Sequence, residues 1–297
     1  MQRLVALAFI WGWSFLFIKV AVEGFTPTTV AWLRITLGAA ALYLILRHQG
    51  RGLETNPVFI RHFAVMAMVA SVVPFTLLAW GEQRITSALT AVLNASTPLF
   101  TAVFAGLAGQ DRLRPVQVAG LGVGLVGVAV AAGLGAADVE GSSLAGAAAA
   151  IAAGGFYGIG MVYSRRHLTV LSPLVAAAGQ LAAGTVILAP VALVTSMTSG
   201  VSLTPSRAAS VVLLGVFGTG IAYLLYYRLI NDVGPTKTSI VTYLIPVIAV
   251  VVGILALDEP FEWRLVLGGV VTVAGIAAVS AGRRLETSQP AEASATR

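Results

Sequence analysis

The 297 residues are 58% hydrophobic and 10% charged, with a mean hydropathy of +0.91, where soluble domains carry roughly 25% charged residues; this excludes a soluble protein and leaves lipid as the solvent for most of the apolar surface. Eighteen Lys and Arg against twelve Asp and Glu give a formal charge of +6, which in a membrane chain belongs to cytoplasmic loops and implies no nucleic-acid partner. There is no cysteine, and the three histidines, His48, His62 and His167, lie beside basic segment ends, so disulfides, metal sites and catalytic triads drop out.

A spanning helix needs about 20 mostly apolar residues. Ten stretches qualify: 3–22, 27–47, 61–81, 87–109, 115–133, 144–164, 173–195, 207–230, 235–257 and 263–281. The first follows Arg3 but runs on to Lys19, longer than the ~7–15 apolar residues of a secretory signal and without a cleavage-like site, so it reads as a retained helix. It carries Trp11 and Trp13 around Gly12. The second opens on Pro27 and bears Arg34 about two turns further in; the third ends on Glu82-Gln83-Arg84. Pro98 stands near the middle of the fourth stretch and Pro246 near the middle of the ninth. Proline lacks the N–H that bonds four residues back, so the carbonyls of Asn94 and Thr242 are expected to be freed near the membrane midplane. The competing reading is a kink repaired by a neighbouring Ser, Thr or water. Gly120, Gly124 and Gly127 in the fifth stretch, with Gly268, Gly269 and Gly275 in the tenth, make small faces for close packing, expected within each half rather than at a dimer seam. Gly154-Gly155 precedes Phe156 and Tyr157 in the sixth, and Gln180, Tyr223 and Tyr243 lie in the seventh, eighth and ninth. The connections are short and turn-rich, leaving no room for a soluble domain, and the polar tail 283–297 reads as disordered and cytoplasmic.

With a cytoplasmic N-terminus, most basic residues, among them Arg3, Arg47, Arg51, Arg61, Arg165 and Arg166, fall inside, and only Arg84, Arg207 and Arg264 fall outside. Both termini are therefore expected in the cytoplasm of an inner-membrane, multi-pass protein. An offset of 148 aligns Pro98 with Pro246, Asp111 with Glu259 and Gly120 with Gly268, and an offset of 146 aligns Pro27 with Pro173. The predicted fold is all-α: ten transmembrane helices in two five-helix repeats, 1–135 and 136–282, the second inverted because five is odd.

The run Trp11-Gly12-Trp13-Ser14-Phe15 with Lys19, Pro27 and Arg34, then Pro98 before Gln110-Asp111-Arg112 and Pro246 before Asp258-Glu259-Pro260, resembles the drug/metabolite transporter superfamily in its ten-helix EamA-type branch. Gln110-Asp111 stands where that family usually has Gly-Glu. The resemblance spans nearly the whole chain, and within the family the aromatic-rich helices and Glu82-Gln83-Arg84 look most like bacterial amino-acid exporters. It implies alternating access and a small amino acid or metabolite as the transported partner.

Pocket-forming candidates are Trp13, Asn94, Tyr157, Gln180, Tyr223 and Tyr243, with Ser71 adding a polar contact; each aromatic has an apolar face and most carry one hydrogen-bonding group, suiting an amphipathic solute. Pro98 and Pro246 are the expected helix breaks. Lys19, Arg34 and Glu82 are the expected gate, Arg34 holding Glu82 or attracting a carboxylate, while Lys19 has an equal alternative in snorkelling beside Glu23. No phosphate-binding loop occurs, no metal or other cofactor is implied, and no acid/base constellation suggests an enzyme. No Asp, Glu or His occupies a midplane position, so proton coupling would use Glu23, Glu82 or the solute's own charge, and facilitated export fits equally. A monomer is favoured. The alternatives are a multidrug or cation exporter, disfavoured by the missing midplane carboxylate, a lipid-carrier flippase, and a non-transporting scaffold.

Overall fold

The computed structural model describes residues 2–110, 114–133, 141–226, 228–229 and 241–287, and these contain helices and turns but no strand. The helices are α1 (Gln2–Ala21), α2 (Pro27–His48), α3 (Pro57–Ala67), α4 (Val73–Glu82), α5 (Ser87–Asn94), α6 (Thr97–Leu107), α7 (Pro115–Ala131), α8 (Gly141–His167), α9 (Pro173–Ser199), α10 (Pro205–Gly215), α11 (Val241–Leu257) and α12 (Trp263–Thr287). Their starts follow from local chemistry. Thr26, Asn56 and Thr204 each accept a first-turn backbone N–H through a side-chain oxygen, and each precedes a proline, whose missing donor costs nothing at that position. Gly109, at φ 66°, supplies the left-handed residue just past the end of α6.

Eight helical stretches among the described residues are long and apolar enough to cross a bilayer: Gln2–Ala21, Pro27–His48, Pro57–Glu82, Ser87–Leu107, Ser143–His167, Pro173–Ser199, Pro205–Tyr226 and Trp263–Ala281. Two shorter apolar helices, Pro115–Ala131 and Leu244–Leu257, occupy the stretches expected as the fifth and ninth spans. Leu44, Val186 and Leu255 lie more than two-thirds exposed on the outside of the bundle, an apolar surface suited to lipid.

Two long stretches are interrupted by π turns: Met68–Val72 between α3 and α4, and Val216–Ile221 after α10. The fourth stretch is broken outright. α5 stops at Asn94, and Pro98 sits in the first turn of α6. The break does not leave the Asn94 carbonyl free, as the sequence suggested: the Thr97 hydroxyl donates to it at 2.8 Å, and the Ser96 hydroxyl donates to the Leu93 carbonyl at 2.6 Å. Pro246 corrects the expectation of matched breaks, because α11 runs continuously through it. The difference lies in the preceding residues: Ser96-Thr97 supply hydroxyls that compete for helical carbonyls, whereas Leu244-Ile245 supply none.

The small faces also pack differently from expectation. α7 lies along α12, so that a Cβ on Gly268 would meet the Gly127 carbonyl at 2.6 Å and one on Gly120 the Gly275 carbonyl at 2.9 Å. This seam joins the fifth stretch to the tenth rather than packing each inside its own half, because only glycine on both sides lets the two backbones touch. Elsewhere α2 pairs with α9, α1 packs on α10 and α11, and α8 packs on α4 and α6. α12 extends through 283–287, which the sequence assigned to the tail; 288–297 lie outside the described residues.

Candidate functional site

Arg34 is carried into the bundle by α2 and is 6% exposed. Its Nε donates to the Thr219 hydroxyl at 2.8 Å, and its guanidinium lies 3.8 Å over the Phe75 ring. Thr219 belongs to one π turn, where its hydroxyl donates in turn to the Leu214 carbonyl. The other π turn presents Ser71, which accepts from Gln180 Nε2 at 2.8 Å and also hydrogen-bonds Tyr223. Tyr157 of α8 meets Phe75 edge-on at 6.3 Å, and Tyr157 and Tyr223 both act electrostatically on the guanidinium. Arg34, Tyr157, Gln180 and Tyr223 are thus brought into one polar centre by α2, α8, α9 and the eighth stretch. No ion pair to Arg34 forms among the described residues, including with Glu82. A buried guanidinium with one donor used and its face on an aromatic ring retains N–H donors suited to a planar carboxylate.

The two polar bonds share the spacing of the prolines. Arg34 and Gln180 are 146 positions apart, like Pro27 and Pro173; Ser71 and Thr219 are 148 apart, like Pro98 and Pro246. Thr219 and Phe75 were not singled out from the sequence, although the 148 offset from Ser71 was a signal that points to Thr219.

Asn94 lies at the end of α5, half-buried, with its Oδ1 shielded and without a hydrogen-bond partner. Trp13 is placed elsewhere. It stands between Phe9 and Phe17, with ring centroids 5.6 and 6.1 Å away, on the side of α1 opposite Phe15, which packs on Ala91 and Ala249. Its Nε1 is buried and unpartnered. Tyr243 lies in α11, but its side chain falls outside the described residues, as do Asp111 and Thr242's side chain.

A second cluster forms at the end of the bundle where α1 finishes. Lys19 does not pair with Glu23: its Nζ donates to the backbone carbonyls of Glu82, the last residue of α4, at 2.6 Å and of Ile85, in the turn that follows, at 2.9 Å. Glu23 instead pairs with Arg207 at 3.3 Å. Asp258 takes a left-handed conformation, φ 52°, after which the Glu259 carboxylate accepts from the backbone N–H groups of Ser87 and Ala88 at 2.6 and 3.1 Å. That acid satisfies the positive N-terminus of α5, a role the sequence reading did not assign. Glu82 is wholly buried, and neither carboxyl oxygen has a hydrogen-bond partner.

The family model described as the EamA-like transporter family matches residues 3–133 and 144–281. The chain is 24% identical over 276 residues to the uncharacterized transporter YoaV of Bacillus subtilis, covering 93% of this chain and 94% of that one. It is 29% identical to the uncharacterized inner membrane transporter YedA of Escherichia coli, covering 97% and 92%, and 28% identical to a probable terminal-alkyne amino-acid exporter of Streptantibioticus cattleyicolor, covering 97% and 96%. A solved crystal structure superposes with a TM-score of 0.64 at 20% identity, covering 96% of this chain and 98% of that one, a likeness of fold.

Proposed function

Because the chain belongs to the EamA-like transporter family and is a multi-pass membrane protein, we propose that it exports amino acids or similar small metabolites by alternating access. The observation that carries this reading is Arg34, a buried guanidinium without an acidic ion-pair partner among the described residues, on which Tyr157 and Tyr223 act electrostatically. It anchors the solute carboxylate, and the tyrosines give the organic part an apolar wall with hydroxyls at its rim. Asn94, whose Oδ1 lacks a donor, accepts from the solute's ammonium. Trp13, on the far side of α1, is left out of the pocket. The name of the S. cattleyicolor relative supports the substrate class.

Ten spans, with Pro115–Ala131 and Leu244–Leu257 as the shorter two, form the inverted halves 1–135 and 136–282. Support comes from the two stretches matched by the family model and from the equal spacing of the Arg34–Thr219 and Gln180–Ser71 bonds. The π turns that hold Thr219 and Ser71 are the flexible joints, since their backbone bonding is already irregular. The chain works as a monomer in the inner membrane, its glycine seam being used internally.

The test is efflux from proteoliposomes with labelled amino acids, their carboxamides, cationic drugs and lipid head-group analogues. Amino acids should move and carboxamides should not. Arg34→Ala should lose at least tenfold in rate while inserting normally, and Arg34→Lys should retain part, because an ammonium keeps the charge but loses the planar fork. Equal transport of acid and carboxamide, or wild-type rates in Arg34→Ala, would remove this site.

A further inference from the structure

We propose that Glu82 is the proton-binding group of this transporter, taking up and giving off one proton as the end of the bundle it occupies closes and opens. The carboxyl is wholly buried, and no described N–H or O–H donates to either oxygen. A carboxylate in that position carries a full charge with no hydrogen bond to replace its hydration, which is costly in a protein interior and more so within a membrane. It also ends α4, at the negative pole of that helix. Glu259 offers the contrast. Its carboxylate sits at the positive pole of α5 and takes two backbone N–H groups. Of two neighbouring acids, one accepts two backbone N–H groups and the other is left without any donor.

The charged groups facing Glu82 are accounted for element by element. Lys19 of α1 is the cation that acts most strongly on it, but its hydrogen bonds go to the carbonyls of Glu82 and Ile85 rather than to the carboxylate. Arg34 of α2 acts from a distance, engaged with Thr219. Glu259, from the turn after α11, adds a like charge. α5 brings Ser87, whose hydroxyl is also unpartnered, and α8 approaches Gly81 through Gly146 and Ala149, which carry no titratable group. Within the same turn, Arg84 is stacked on Trp80 and bonded to its carbonyl. Closed, the site therefore holds a neutral acid; opened to water, the acid ionises and the proton leaves as hydronium, to be regained before the next closure. One proton is bound and released per cycle, with no other reactant.

Infrared difference spectra of the purified full chain in detergent, recorded from about pH 5 to about pH 9, test this without any solute, so the outcome is independent of the substrate reading. Wild type should have one carboxylic-acid C=O band that disappears as the pH rises. Glu82→Gln should lose it, Glu82→Asp should keep a shifted band, and Glu23→Gln, at the exposed pair with Arg207, should leave it unchanged. In proteoliposomes, exchange of labelled L-alanine and L-phenylalanine should become pH-independent in Glu82→Gln. No titrating band in wild type would overturn the proposal whatever the variants do, as would an unaltered band in Glu82→Gln.

Discussion

A lysine ammonium that reaches two carbonyls at the end of a neighbouring helix neutralises the pole of that helix and fixes the distance between the two. Lys19 does this between α1 and α4, whereas Glu23, one turn on, is half-exposed beside Arg207. Charged hydrogen bonds of the first kind contribute about 1.5–3 kcal/mol, and exposed pairs of the second about 0–1 kcal/mol. Lys19→Met should therefore lower the melting temperature in detergent clearly and Glu23→Gln hardly at all; equal shifts would mean that the two carbonyls do not hold Lys19. The sequence makes Lys19 conspicuous as an intramembrane cation, but its partners are backbone atoms more than 60 residues away, which no side-chain pattern reveals. Arg34 was legible as inward-facing from its depth. Its partner was not, since a hydroxyl in a π turn leaves no mark in apolar periodicity.

The broken fourth stretch depends on its neighbour as much as on its proline. α8 passes across the break with Gly154 beside Ser96 and Thr97 and Gly158 beside Phe100 and Thr101. A Cβ on Gly158 would lie 2.9 Å from the Thr101 backbone nitrogen, which cannot move aside as a side chain would; one on Gly155 would stand 4.0 Å from the Phe100 ring. Gly158→Ala should then destabilise by about 1–3 kcal/mol, read as a lower melting temperature, and Gly155→Ala should be neutral or slightly stabilising. The reverse order would indicate that α8 is held by something other than this contact. Pro98→Ala should leave the break in place, because the Ser96 and Thr97 hydroxyls still occupy the carbonyls of Leu93 and Asn94. At this scale the sequence was informative about where helices start, since Thr26-Pro27, Asn56-Pro57 and Thr204-Pro205 are cap signals. It could not distinguish Pro98 from Pro246: that depends on hydroxyls before the proline and on which helix lies across it.

Over the whole molecule, equivalent positions of the proposed halves meet the same kind of neighbour. Gly12 of α1 packs under Ile248 of α11, and Gly158 of α8, 146 positions on, packs under Phe100 of α6, 148 positions before Ile248. The charges divide between the two ends of the bundle. At one end Arg51 bonds Ser172, His62 bonds Tyr163 and Gln110 reaches the Val162 carbonyl, which gathers Arg47, Arg51, Arg61, Arg165 and Arg166 there. At the other, Lys19 holds the end of α4, Glu23 pairs with Arg207, and Glu259 caps α5, so acids and bases offset one another. By the positive-inside rule, the proposed orientation puts the unbalanced basic end in the cytoplasm. A chain with no cysteine allows a direct check, since any single cysteine introduced is the only thiol to label. Val201→Cys, exposed at the balanced end, should react with a membrane-impermeant maleimide in intact cells. Gly52→Cys, with no atom within 4 Å of its Cβ position at the basic end, should react only after permeabilisation. The opposite pattern would invert the orientation, and it would put Glu82 and its proton on the cytoplasmic side, so this one measurement also fixes which compartment's pH the buried acid senses.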